Sequence, residues 1–370
     1  MVKKKILFVS DTFYPRVDGI VRFMSETYKH LKNDFDIKFL VPRLEGGEEM
    51  IASRKLNVIY TPTFKFTIAE FKPSRPVNKT IKDAVDWADV VFVNTPGGPL
   101  GASTVYSASG KKKLIGYAHT IDWELFPFVI GRKSVGRILK PLFRRIYSRL
   151  DVILAPDKLI VSKYKKAGIK SKFKIVPLNA DQTQFKENLF DRLRVRKDLG
   201  ITGTFVVGFH GRLSKEKNIR LLVDSFKQFR KKYPKSSLLV LGDGPERDKV
   251  KGEGIISTGF VSDPEKYLRA MDVYVLLSKT ETSALSLMEA IATGVPVITS
   301  NAGLIPTYVT ARRGIVLKKF QLKKGYVAKA IEMVHDSPVK SKLKAVGAKL
   351  FTDSRNWNDI ANDLKRTFED

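Results

Sequence analysis

Residues 278–300 read Ser-Lys-Thr-Glu-Thr-Ser-Ala-Leu-Ser-Leu-Met-Glu-Ala-Ile-Ala-Thr-Gly-Val-Pro-Val-Ile-Thr-Ser. The apolar run just before them, Val273–Leu277, predicts a strand that enters a short polar turn. A helix is expected from near Ser283, carrying Glu289 in its second turn and ending at Gly294. A second strand, Pro296–Ile298, follows. Glu281 and Glu289 bracket the helix start with seven residues between them. A strand, a loop and a free helix N-terminus make an anion site. Carboxylates beside it grip hydroxyls, not phosphate. A ligand carrying both phosphate and sugar hydroxyls fits.

Outward from this stretch the same pattern repeats. Strands are expected at 205–209, 237–241, 255–258 and 295–299, with helical patterns between several of them. Earlier in the chain, strands are expected at 5–9, 36–41, 57–60, 90–94, 113–118 and 152–155. Alternating β and α elements imply parallel sheets with helices on both faces, so the fold class is α/β with two doubly wound, Rossmann-like domains in tandem. The polar, charged stretch 181–204 reads as a linker between domains at 1–180 and 205–353. The tail 354–370 places Trp357, Ile360, Leu364 and Phe368 on one helical face.

Composition narrows the function. The chain has 370 residues, enough for two cores. It has no Cys, which excludes disulfides, thiolate catalysis and Cys-based zinc sites. No apolar run approaches the roughly 18 residues of a membrane span. The basic start resembles a signal peptide's front, but its apolar run meets Asp11 and is expected to be a first strand. Lys and Arg number 67 against 38 Asp and Glu, a net charge of +29. Such an excess favours nucleic acid, acidic lipid or phosphorylated ligands. Between Arg132 and Lys174, fourteen Lys and Arg face two acids.

Several short constellations follow strand ends. Gly208-Phe-His-Gly-Arg-Leu-Ser-Lys-Glu-Lys-Asn218 sets Arg212 and Lys217 at the carboxyl edge of a sheet, where two cations and a permissive backbone suit a diphosphate. Alone, such a pair reads more readily as a solvated basic loop. Leu241-Gly-Asp-Gly-Pro-Glu246 lets the backbone approach a flat ligand, or simply turns. Gly259-Phe-Val-Ser-Asp263 can offer backbone groups to a base edge. The loop 10–19 ends in Gly19 and precedes a helix, without a G-x-G-x-x-G fingerprint. His119, in Gly116-Tyr-Ala-His-Thr-Ile-Asp-Trp-Glu124, stands at a strand end. Asp122 and Glu124 nearby read as ordinary surface charge. Asp34-Phe-Asp36 resembles a metal motif but falls at the wrong edge of its domain and is expected to be a turn.

The order and spacing of these motifs resemble the retaining glycosyltransferases of family 4, which have the GT-B fold. The likeness rests on Phe13-Tyr-Pro, Asp18-Gly19, His119-Thr120, Gly211-Arg-Leu-Ser-Lys-Glu-Lys217, Gly242-Asp-Gly-Pro245, Gly259-Phe-Val261, the Glu281/Glu289 pair and Gly294-Val-Pro-Val297. The resemblance implies a nucleotide-sugar donor held mainly by the second domain, across a crevice from an acceptor on the first. Arg212 and Lys217 would hold the diphosphate and stabilise the leaving group. Glu289 would hold the ribose and Glu281 the sugar. Gly19 would leave room for phosphate, and His119 would contact the sugar. Gly211, Gly242, Val261, Ala284 and Leu285 would complete the donor site. The family needs no metal and no other cofactor.

There are departures. Glu281-Thr-Ser-Ala284 stands where Glu-Gly-Phe-Gly is common, Asp18-Gly19 where Gly-Gly is, and Asn179-Ala-Asp181 where an Asn-Gly-x-Asp hinge is.

The acceptor side carries two further signals. Val135–Leu150 reads as a candidate basic amphipathic helix in which Val135, Ile138, Leu139, Leu142, Phe143, Ile146 and Tyr147 share a face that is expected to pack on the domain core, while Arg137, Lys140, Arg144, Arg145 and Arg149 lie elsewhere and leave a basic face for an anionic surface. Pro141 suggests a kink or a break. The segment 64–75 mixes Phe64, Phe66 and Phe71 with cations. Together with Thr280-Glu-Thr282, these resemble members that glycosylate diacylglycerol-type lipids. The expectation is a UDP-hexose donor and a lipid acceptor at the cytoplasmic face of an anionic membrane. The alternatives are a GDP-mannose-dependent mannosyltransferase and, from another class, a nucleic-acid binder. No basic recognition helix or RNA-stacking motif supports the last, so no nucleic-acid partner is expected.

Overall fold

The computed structural model describes residues 2–16, 18–68, 72–132, 134–309, 314–337 and 356–370. They form two compact units, Met1–Leu178 with Trp357–Asp370, and Asn179–Asn356.

The first unit runs β1 (Lys5–Val9), α1 (Gly19–Leu31), β2 (Asp36–Pro42), α2 (Glu48–Ser53), β3 (Val58–Thr61), α3 (Asn78–Trp87), β4 (Val90–Val93), α4 (Pro99–Ala108), β5 (Lys113–Tyr117), α5 (Asp122–Ile130), α6 (Val135–Tyr147), β6 (Val152–Ala155), α7 (Lys158–Lys166) and β7 (Lys172–Ile175). Its seven parallel strands lie in the order β3-β2-β1-β4-β5-β6-β7. The central strands are continuous apolar runs because helices cover both faces. The order reverses between β1 and β4, and there Asp11, just after β1, accepts N–H bonds from Leu100 (2.8 Å) and Gly101 (2.9 Å) at the start of α4. Burial raises the pKa of this carboxyl despite those bonds.

The second unit runs α8 (Leu189–Asp198), β8 (Phe205–His210), α9 (Ile219–Lys232), β9 (Ser236–Leu241), β10 (Ile255–Gly259), α10 (Pro264–Ala270), β11 (Val273–Leu276), α11 (Leu285–Ala292), β12 (Val297–Ser300), α12 (Ile305–Tyr308), β13 (Gly314–Leu317) and α13 (Lys324–Asp336). Its six parallel strands lie in the order β10-β9-β8-β11-β12-β13, reversing between β8 and β11.

The stretch 181–204, expected as a linker, holds α8 and belongs to the second unit. Arg192 and Arg196 of α8 clamp buried Asp272 at 2.6 and 2.7 Å. Asp272 also accepts from Val206 N in β8 at 2.8 Å. Burial alone would raise its pKa, but Arg196, that backbone N–H and Arg192 together hold it below the usual carboxylate range. The polar sequence concealed a helix docked through ion pairs rather than through an apolar stripe.

The last helix, α14 (Trp357–Glu369), packs into the first unit. Trp357, Ile360, Leu364 and Phe368 are all buried, as their spacing predicts. Phe368 meets Phe92 at 5.3 Å, Phe35 at 5.7 Å and Phe8 at 6.2 Å. Lys4 Nζ donates to Phe368 O (2.8 Å) and Lys113 Nζ to Thr367 O (2.7 Å). Lys174 Nζ donates to Thr367 Oγ1 at 2.8 Å. Cations at a helix C-terminus satisfy its unpaired carbonyls and oppose its dipole. Asp34, of the Asp34-Phe-Asp36 motif, pairs with Lys365 of this helix at 2.7 Å, which gives that carboxylate a structural role.

Candidate functional site

In the second unit the loops after β8 and β11 leave the sheet at its switch point, where doubly wound sheets bind ligands. The loop after β8 carries Gly211, Arg212 and a single 3-10 turn, Lys215–Lys217. The loop after β11 carries Glu281 and leads into α11. Lys279 N donates to Glu216 O at 2.7 Å, joining the two loops. Lys217 Nζ meets Glu281 Oε1, and Ser278 Oγ donates to the same oxygen at 2.8 Å. Ser300 Oγ in turn holds Ser278 O at 2.6 Å. Gly303 closes the back of the loop: a Cβ there would sit 1.7 Å from Glu281 O. The Glu281 side chain is 8% exposed and Lys217 21%.

Glu289 lies on α11 and is buried, its side chain 2% exposed, with Oε2 3.3 Å from His210 Nδ1. His210 ends β8 one residue before Gly211. No residue-type signal marked it; only its place at the carboxyl end of a central strand could have done so. Ala284 precedes α11 as its N-cap with φ +47° and ψ +51°, a left-handed conformation unusual for a residue with a Cβ. Leu285 is the first helical residue and is half-buried, and Val261, after β10, is half-buried as well.

Gly242 and Gly244 have φ of +128° and +153°. A Cβ on Gly242 would lie 2.1 Å from Gly211 O, and one on Gly244 would lie 2.5 Å from Leu213 O. Leu213 N donates to Asp243 O at 2.9 Å, and Glu246 N to Leu213 O at 2.8 Å. These glycines let the loop after β9 press against the Gly211–Leu213 backbone, and so brace the segment that carries Arg212.

In the first unit, Gly19 opens α1. The Asp18 side chain takes the first amides of that helix, Ile20 N at 3.0 Å and Val21 N at 3.1 Å, and pairs with Arg16 at 3.2 Å. His119 follows β5, with Nε2 3.1 Å from Asn94 Oδ1. Its ring stacks on Tyr117 at 4.3 Å and meets the edge of Phe23 at 4.7 Å. Burial pushes its pKa down to about 3, opposed by the Asp18 charge. His119 is therefore a neutral imidazole at physiological pH, able to serve as a hydrogen-bond partner but not as a cation.

Asp122, read from sequence as surface charge, is buried instead. It accepts from Thr120 Oγ1 and Tyr147 OH, both at 2.6 Å, and burial raises its pKa. Glu124 pairs with Lys163 at 3.0 Å. The Asp122–Tyr147 bond pins the start of α5 to the end of α6. A Cβ on Gly136 would lie 2.2 Å from Trp123 O, so the two helices touch through backbone.

The expected single apolar face of α6 divides. Phe143, Ile146 and Tyr147 are buried, while Ile138 is 69% and Leu142 47% exposed. At 100° per residue these two share the solvent arc with Arg137, Pro141, Arg144 and Arg145. Lys140 is half-buried and lies 5.9 Å over Trp123. The helix is continuous through Pro141. α5 beside it has Trp123, Leu125, Phe126, Phe128 and Val129 all half-buried and Ile130 exposed; its only buried residue is Asp122. Phe64 stacks on Phe66 at 5.2 Å, with Phe66 54% exposed. Phe71 lies outside the described residues.

Two doubly wound units, one with cations and carboxylates at its switch point and the other with a half-exposed apolar and basic hairpin, define a GT-B transferase architecture. Residues 191–350 match the sequence model described as Glycosyl transferases group 1, and residues 17–181 match Glycosyltransferase Family 4. The chain belongs to this glycosyltransferase family and has the GT-B fold. It is 32% identical over 220 residues to an alpha-monoglucosyldiacylglycerol synthase of Acholeplasma laidlawii, a match covering 55% of this chain and 54% of that one. The chain thus aligns with only about half the length of that relative. It is 22% identical over 340 residues to a GDP-mannose-dependent alpha-(1-6)-phosphatidylinositol monomannoside mannosyltransferase of Mycolicibacterium smegmatis, covering 84% of this chain and 85% of that one. Among solved structures, Anabaena HepE in complex with UDP-glucose superposes with a TM-score of 0.82 at 18% identity, over 99% of both chains.

Proposed function

We propose that this glycosyltransferase moves a hexose from a UDP-hexose to a diacylglycerol-type lipid at the cytoplasmic face of the membrane, retaining the configuration at the anomeric carbon. The α5–α6 hairpin carries the lipid part of this reading. Its solvent side sets Ile138 and Leu142 among Arg137, Arg144 and Arg145, the composition of a helix that lies in an anionic interface. No described helix is long and apolar enough to cross a membrane. The synthase name of the Acholeplasma relative points to the same acceptor class.

On the donor side, Arg212 and Lys217 take the diphosphate, Glu281 the sugar hydroxyls and Glu289 the ribose diol. An ammonium has three N–H donors, so Lys217 can keep its bond to Glu281 while it turns another toward phosphate. As the bond from the anomeric carbon to the diphosphate oxygen breaks, negative charge grows where the two cations are fixed. The acceptor hydroxyl attacks from the same face and passes its proton to the departing phosphate, so no protein base or metal is needed. Neutral His119 serves the sugar as a hydrogen-bond partner.

The second reading, a GDP-mannose-dependent mannosyltransferase, is favoured by the Mycolicibacterium relative. A thermal-shift screen with UDP-, GDP- and ADP-sugars separates the two, since a donor stabilises the state that binds it. UDP-glucose or UDP-galactose is expected to give the largest shift; GDP-mannose giving it would transfer the conclusion to the second reading. Flotation with anionic vesicles, set against polynucleotide binding, tests the acceptor surface. Polynucleotide binding without flotation would overturn it.

A further inference from the structure

We infer that Asn94 is a positioning residue for His119: its amide oxygen holds the Nε2–H of the imidazole, so that the ring presents the lone pair of Nδ1, as an acceptor, to a hydroxyl of the transferred sugar. This rests on the reading of His119 as a sugar contact. His119 Nε2 lies 3.1 Å from Asn94 Oδ1. An amide oxygen only accepts, so the single proton of the neutral ring is on Nε2 and Nδ1 carries none. Nδ1 has no hydrogen-bond partner among the described residues, and His119 is half-buried rather than sealed.

Two neighbouring strands set the pair. Asn94 follows β4 and His119 follows β5, both at the carboxyl edge of the first sheet. Asn94 N donates to Val9 O at 2.8 Å, and His119 N to Tyr117 O at 2.9 Å. The imidazole stacks on Tyr117 at 4.3 Å and packs against Phe23 at 4.7 Å. Asn94 is buried, and its Nδ2 has no hydrogen-bond partner among the described residues. One half of the amide thus fixes the ring, and the other half keeps its N–H donors. A buried N–H without a partner costs free energy that a ligand oxygen would recover. Sugar hydroxyls both give and take hydrogen bonds, so an acceptor at Nδ1 with N–H donors close by suits a polyol. The strand ends and the ring stack already hold both side chains, which leaves little rotamer freedom to lose on binding.

The test begins with the tautomer, which long-range proton–nitrogen NMR reads directly. The chain has four His, and His119→Phe, which keeps a ring but has no nitrogen in it, assigns the signal. In the wild type, Nε2 should be protonated and Nδ1 bare; Asn94→Ala should shift the ring toward a mixture of both tautomers. The second arm is calorimetric binding of UDP-glucose or GDP-mannose, whichever gives the larger thermal shift, and of its deoxy and deoxyfluoro analogues at each hydroxyl of the hexose. Fluorine can accept a hydrogen bond but cannot donate one. At one position both analogues should bind about tenfold more weakly than the parent, the scale of one hydrogen bond, and in His119→Phe that difference should vanish. A proton on Nδ1, an unchanged tautomer in Asn94→Ala, or full recovery with fluorine at the position that depends on His119 would overturn the inference while leaving the sugar contact standing. Losses equal in wild type and His119→Phe at every position would remove that contact, and the inference with it.

Discussion

Lys217 Nζ and Glu281 Oε1 form a direct ion pair that joins the loop after β8 to the loop after β11, with Ser278 Oγ sharing the carboxylate oxygen. In the proposed function, the cation assigned to the leaving group and the carboxylate assigned to the sugar would thus fix each other before a donor arrives. Removing one preorganised donor of this kind lowers turnover by roughly 10²–10³. Lys217→Ala and Glu281→Ala should each show that loss with an unchanged circular dichroism spectrum. Lys217→Ala also leaves a nearly buried carboxylate without its cation, at about 1–3 kcal/mol. In urea unfolding, the double variant should therefore be more stable than Lys217→Ala alone. Full turnover in either single variant would refute the assignment.

Ala284 holds a left-handed conformation that glycine adopts freely. That geometry costs an L-residue roughly 1–2 kcal/mol, and glycine gives back about 0.5–1 kcal/mol through the entropy of the unfolded chain. Ala284→Gly should thus raise stability by about 0.5–1 kcal/mol, or a few degrees in Tm. A lower Tm would show that the Ala284 methyl contributes packing that outweighs the strain.

His119 titrates near 3 in the folded protein and near 6.5 when unfolded. The unfolded chain therefore binds the proton first. The stability that His119 contributes is complete above pH 6.5 and is lost as pH falls toward 3, at up to about 1.4 kcal/mol per pH unit. Urea midpoints measured from pH 7 to pH 4 should fall less steeply for His119→Gln than for the wild type. The activity profile between pH 6 and 8 should show no step that disappears in that variant.

The exposed arc of α6 offers a separable surface test. Each cation near an anionic bilayer contributes about 1 kcal/mol. Replacing Arg137, Arg144 and Arg145 with Ala should thus lower vesicle partitioning by about two orders of magnitude. Ile138→Asp with Leu142→Asp should abolish it even at low salt. Neither set touches the loops after β8 and β11, so nucleotide binding should persist in both; vesicle binding that survives both would overturn the proposed role of α6.

The sheets were legible because buried parallel strands are uninterrupted apolar runs, and α14 because Trp357, Ile360, Leu364 and Phe368 keep a helical period. The placement of Arg212, Lys217 and Glu281 in loops after strands was legible from the apolar runs before them, and Ala284 from its standing where glycine is common. Four features were not. The role of α8 depends on Arg192 and Arg196 reaching Asp272, a partner far away in sequence. Burial of Asp122 depends on Tyr147 and on the bare Cα of Gly97, where a Cβ would lie 2.0 Å from its carboxylate. The division of the α6 face depends on what α5 covers. The His210–Glu289 contact joins the end of β8 to α11, far apart in sequence. Each is a question of which distant group occupies the other side, and a local pattern carries no information on that.

The docking of α14 bears on biosynthesis. Phe8, in the first strand, and Phe368, near the last residue, belong to one aromatic cluster, and lysines from β5 and β7 seize the carbonyl and hydroxyl of Thr367. Residues 179–356, the whole of the other unit, are translated in between. Domains usually mature in the order in which they leave the ribosome. Here the amino-terminal unit must wait, its aromatic floor open, until residues 357–370 emerge, and the unit encoded second is the first to have all of its parts.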